Sequence, residues 1–149
     1  MHALRRVVRR SLWLSSVSAA ALLAAGCAQM SSSAPSGSNV VLGGNQEVPP
    51  VSTAATGSGT LTVLMDRSMT GTVTTSGIAG TAAHIHMAAP GHNGPVIVPL
   101  NRTADNMWSV PASIRLNDAQ YEAYKLGNLY VNVHSAANPG GEIRGQVTP

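Results

Sequence analysis

The residues best suited to chemistry in this chain are its histidines. His84 and His86 flank Ile85 in Ala82-Ala83-His84-Ile85-His86-Met87-Ala88. In a strand, residues i and i+2 point to one face, so these two imidazoles are neighbours. His134 lies in Asn128-Leu129-Tyr130-Val131-Asn132-Val133-His134-Ser135. Alternation there sets Asn132 and His134 on one face and Val131, Val133 and Ser135 on the other. His92 follows in a Gly-rich loop. Paired imidazoles with few carboxylates nearby and no second cysteine favour copper or zinc over calcium or magnesium. The expected metal site is therefore His84, His86 and His134, with His92 as an additional candidate. Asn132, Glu142 or backbone carbonyls would orient the rings. Ligation requires neutral imidazole, so affinity should fall as pH drops through roughly 6.5. The same residues also read as structure. The pair could bond loop carbonyls or Glu142, and His134 with Asn132 could pin the Asn138-Pro139-Gly140-Gly141 turn. The residues alone leave both readings open.

Other chemistry is poorly represented. There is no Ser/His/Asp order, no phosphate loop, no paired carboxylates at helical spacing and no nucleophilic cysteine, which disfavours a hydrolase. Glu142 and Arg144 share a strand face as i and i+2 and could pair with each other or with a loop. If buried, Arg144 would be an anchor whose loss is costly. Gly91, Gly94, Gly140 and Gly141 are expected to supply positive φ in tight turns.

The elements that must position these groups are mostly strands. Gly59 to Met65 alternates polar and apolar residues, Asp66-Arg67-Ser68 turns, and Met69 to Ser76 returns as the second arm of a hairpin. Further strands are expected at 82–88, 95–100, 107–110, 128–135 and 141–148. The prolines of Pro95-Val96-Ile97-Val98-Pro99-Leu100 point to an edge strand or a strand end. One helix is expected near 117–126. Asn117 serves as N-cap with Gln120 as its capping-box partner, and Gly127 stops it. Many strands and one short helix indicate an all-β, immunoglobulin-like Greek-key β-sandwich spanning 40–149.

The first 39 residues read differently. Arg5, Arg6, Arg9 and Arg10 precede an uncharged run from Ser11 to Ala25, too short to span a bilayer, which takes about 20 apolar residues. This is the pattern of a signal peptide over 1–26. Leu23-Ala24-Ala25-Gly26-Cys27 resembles a bacterial lipobox, with Ala24 where leucine is commoner. Cys27, the only cysteine, would then carry the acyl chains. Arg9-Arg10-Ser11-Leu12 also resembles a twin-arginine export signal, with Val8 where a polar residue is usual. Residues 27–39, small and polar, form a tether. Acyl chains contribute roughly 0.8 kcal/mol per buried CH₂, so the domain need not touch the membrane itself. Ala28 in place of aspartate favours the outer membrane, facing the periplasm or the surface. Past residue 26, five basic groups face six acids, a net charge of −1 with histidine neutral. That excludes a nucleic-acid footprint. A protein partner is compatible with this surface.

Three motifs in order, AAHIHMAAPGHNGPVIVPL (82–100), the helix with GNLYVNVHS (127–135), and NPGGEIRGQV (138–147), resemble the CHRD domain, named after chordin. The resemblance implies an all-β, immunoglobulin-like domain, often in secreted or surface-attached bacterial proteins, with a poorly defined activity. It implies an envelope-anchored binding or structural module, more readily than an enzyme. The order His-x-His, loop His, late His is also similar to copper/zinc superoxide dismutase, with Arg144 where that enzyme has a substrate-steering arginine. The zinc-site histidines, the aspartate and the disulfide of that enzyme have no evident counterparts. The alternative reading is therefore a periplasmic copper- or zinc-binding protein, superoxide-dismutase-like at the level of a copper-only variant.

Overall fold

The computed structural model describes residues 37–149. The expected signal peptide, Cys27 and most of the expected tether lie outside these residues. Nine strands, one short 3₁₀ helix and one α-helix follow in order among the described residues: β1 (Ser38–Gly43), the 3₁₀ helix (Gly44–Gln46), β2 (Thr56–Val63), β3 (Met69–Ser76), β4 (Gly80–Met87), β5 (Val96–Pro99), β6 (Asn101–Ala104), β7 (Met107–Ser109), α1 (Asp118–Lys125), β8 (Leu129–Ser135) and β9 (Ile143–Val147). All pairings are antiparallel, in the order β5-β4-β8-β9-β1-β2-β3-β7-β6.

This sheet cannot be flat. Its terminal strands, β5 and β6, are separated in the chain by Leu100 alone. One residue spans less than 4 Å, so the two ends of the sheet must meet. The sheet therefore folds over on itself, with β5-β4-β8-β9 facing β1-β2-β3-β7-β6 across an apolar interior. Val40, Leu42, Leu61, Met69, Val73 and Trp108 come from one side, and Ala83, Ile85, Leu129, Val131, Val133, Ile143 and Val147 from the other, all buried. A Cβ placed on Gly80 would stand 2.9 Å from Trp108 Cζ2 and 3.1 Å from Val133 Cγ1. The indole of β7 thus packs directly onto β4 and β8. The all-β sandwich with one short helix is the architecture observed.

The helix forms where its signals stand. Asn117 Oδ1 accepts from the Gln120 backbone N–H and Gln120 Oε1 accepts from the Asn117 N–H, both at 2.9 Å. Gly127, at φ 71°, ends it. Leu116 and Tyr124 are its buried contacts.

Four expectations are corrected. Ser38 and Asn39 are not tether; they pair with Leu61 and Thr60 in β1, and the buried Ser38 hydroxyl meets Tyr124 OH at 3.1 Å. The stretch between 100 and 107, where no strand is expected, holds β6, while 95–100 supplies the edge strand β5 that its prolines indicate. Gly91 and Gly141 have positive φ but Gly94 and Gly140 do not; at Gly94 a Cβ would collide with the Met87 carbonyl, so closeness and not handedness requires glycine there. Glu142 and Arg144 do not pair. Glu142 precedes β9 and bonds the hydroxyls of Thr53 and Ser135.

Candidate metal centre

Strand register assembles the site. His84 stands opposite Asn132, His86 opposite Tyr130, and Ala82 opposite His134. Tyr130 stands opposite Gln146, and Asn132 opposite Arg144. One face of β4-β8-β9 therefore carries every one of these polar and aromatic side chains. The other face carries Ala83, Ile85, Leu129, Val131, Val133, Ile143 and Val147 and turns to the core. Strand alternation separates the two sets completely.

The polar face is roofed by two loops. Asn93 Nδ2 donates to the Val48 carbonyl at 2.7 Å, joining loop to loop. The Gly94 N–H reaches Tyr130 OH at 3.3 Å, and Thr53 Oγ1 donates to Glu142 Oε1 at 2.7 Å. His86, Asn132 and Arg144 are buried as a result.

Within this layer His84, His86 and His134 converge. Each offers one ring nitrogen, and these three nitrogens lie within 4.8 Å of one another. Two nitrogens bound tetrahedrally to one ion at about 2.0–2.1 Å stand roughly 3.4 Å apart. The widest separation here, up to 4.8 Å, exceeds that spacing by about 1.4 Å, which is the distance the rings would have to draw in to ligate one ion. His134 Nδ1 lies 2.9 Å from the Pro139 carbonyl and His86 Nδ1 lies 2.9 Å from the Gly94 carbonyl. A carbonyl only accepts, so both Nδ1 atoms carry the proton and both Nε2 atoms hold a lone pair. His134 Nε2 receives His84 Nδ1 at 2.9 Å. His86 Nε2 is buried without a partner. These carbonyl bonds fix the rings in the way that the other ring nitrogen of a metal-bound histidine is held by a backbone acceptor. Tyr130, stacked on the His86 ring at 4.7 Å and 7°, holds it from the side.

Burial pushes the His84 imidazole below its usual value, and the neighbouring imidazoles of His134 and His86 push it further. Burial also pushes His86 down, against a partial rise from its bond to Gly94. Both are therefore neutral near pH 7, the form that ligates. The sign for stability follows. The unfolded chain takes up protons at these two positions below roughly pH 6.5, while the fold resists until lower pH. Stability of the metal-free protein should be fully present above about pH 6.5 and decline as pH falls from there through the lowered folded values. Urea unfolding at pH 7.5, 6.5 and 5.5 should show a falling midpoint, flattened in His84→Gln/His86→Gln. Equal midpoints would refute this coupling.

Three of the four expected histidines are thus brought together. His92 is not: it lies exposed in the loop, its backbone N–H bonded to the Ala89 carbonyl at 3.1 Å. The sequence reading missed Tyr130. Its place two residues before Asn132 and four before His134 was the available signal, since all three share a face.

A family model matches residues 38–147, the CHRD domain. The chain belongs to the CHRD domain family. Among curated proteins and solved structures, no match to this CHRD protein was found. CHRD membership supports a binding or structural module. The imidazole cluster sits within the matched stretch, on strands that form the body of the CHRD domain.

Proposed function

We propose that this protein is a non-enzymatic binding module of the cell envelope, anchored through an acylated Cys27, whose ligand at the histidine face is copper or zinc. One observation carries the metal reading: three ring nitrogens lie within 4.8 Å of one another, and two of the rings are oriented by backbone carbonyls. An all-imidazole set suits Cu(II) or Zn(II), and Cu(II) binds a given nitrogen site more tightly. Three ligands leave a position for water or a fourth donor.

Titration of metal-depleted full-length protein with Cu(II) and Zn(II) at pH 7.5 tests it. One ion should bind per chain, Cu(II) the tighter, with affinity falling below pH 6.5. Absence of binding of either ion by calorimetry ends the metal reading. The anchor is tested separately. Cys27→Ser should release the protein from membranes or block its processing, and wild type that takes up no labelled fatty acid refutes the anchor.

A second reading has its own support. The His84–His134 bond at 2.9 Å ties the two rings to each other without an ion. A purely structural cluster predicts full stability in chelator and no metal uptake.

A further inference from the structure

The roofed face also holds a cleft that the imidazoles do not line. It measures about 350 Å³, walled by Val48, Pro50 and Pro90, with Glu47, Arg144 and Gln146 among its lining residues. Arg144 is only 1% exposed, yet among the described residues it makes no ion pair. Its polar partners are neutral and distant: Asn93 Oδ1 at 3.4 Å and Gln146 Oε1 at 3.3 Å. The guanidinium lies 3.4 Å from the centre of the Tyr130 ring. That stacking occupies the planar face and leaves the edge, where the N–H donors point. Glu47 lines the same cleft and attracts Arg144 through space without forming an ion pair, and burial pushes its carboxyl up from the usual carboxylate value. A buried guanidinium without a direct ionic partner is left to be matched by an anion that reaches its edge.

We propose that this cleft binds a small organic carboxylate, with Arg144 as the anchoring cation. The planar fork of arginine matches a carboxylate in two parallel hydrogen bonds. Valine and proline walls favour a compact apolar body behind the carboxylate and disfavour a fully hydrated phosphate. The inference stands without the metal reading, because no imidazole of the cluster lines the cleft.

The test is calorimetric titration of metal-depleted full-length protein with benzoate, its neutral isostere benzamide, and inorganic phosphate. Benzoate should bind saturably at one site, at least tenfold tighter than benzamide and tighter than phosphate, and more weakly at high salt. Arg144→Lys should weaken benzoate at least tenfold. Should that buried substitution unfold the protein, the exposed rim residue Pro90 decides. Pro90→Glu should weaken benzoate severalfold and Pro90→Lys should tighten it. No saturable benzoate binding, equal affinity for benzamide, a preference for phosphate, or indifference to the charge at position 90 would overturn the proposal.

Discussion

His134→Ala should weaken Cu(II) binding by at least about 100-fold, a loss of roughly 2.7 kcal/mol. His134 is the joint of the cluster. Its Nε2 faces His84 Nδ1 and its Nδ1 is held by Pro139. Removing it leaves His84 and His86, neighbours on one strand with ring centroids 5.8 Å apart, as a two-ligand site. Two imidazoles without a third fixed donor hold a divalent ion far less well. The substitution also removes two hydrogen bonds, each contributing about 1 kcal/mol to stability, so folding is checked by circular dichroism before titration. His92→Ala provides the contrast. It is exposed and outside the cluster, so copper affinity should be unchanged. Wild-type affinity in His134→Ala would show that bound copper sits elsewhere. A large loss in His92→Ala would show that the loop closes over the ion.

What the sequence disclosed follows from the range of each interaction. The side-by-side placement of His84 and His86 depends only on strand alternation, a local property, and was legible. The capping box of α1 was legible for the same reason: Asn117 and Gln120 act within one turn. The arrival of His134 is different. It depends on β4 pairing with β8 in a register that sets Ala82 opposite His134, and those strands lie some fifty residues apart. No local pattern encodes that register. β6 was missed because Asn101–Ala104 is exposed throughout and shows no alternation; its place as an edge strand comes from pairing with β7. β1 was shortened because Ser38 and Asn39 look like tether residues. Only their pairing with β2 makes them strand. From i, i+2 spacing Arg144 reads as a partner for Glu142 or for a loop. The strand starts one residue after Glu142, so that spacing rule did not apply, and Asn93 and Tyr130 became its neighbours instead.

The second large effect concerns the contact that closes the sheet. Trp108→Ala should destabilise the domain by about 3–5 kcal/mol, the usual cost of deleting a buried aromatic. The indole is 3% exposed and fills the space between β7 and the facing β4 and β8. The neighbours from the facing strands cannot fill that volume. Gly80 has no side chain to extend, and Val133 is fixed in the central strand pairing of β8. For a domain of this size the melting temperature should fall by more than about 10 °C. Trp108→Phe separates packing from polarity. The indole Nε1 is buried without a hydrogen-bond partner, so its removal relieves an unmet donor. Phenylalanine should therefore recover well over half of the lost stability. Thermal unfolding followed by far-ultraviolet circular dichroism measures both variants. A Trp108→Ala melting temperature within about 3 °C of wild type would mean that the two halves of the sheet are held together by other contacts, foremost the Leu100 link between β5 and β6. Metal affinity gives an independent readout, since the imidazoles occupy the opposite face of β4 and β8. Below the melting transition, Trp108→Phe should bind copper as wild type does, because the register that aligns His84, His86 and His134 is set by backbone pairing within β4-β8.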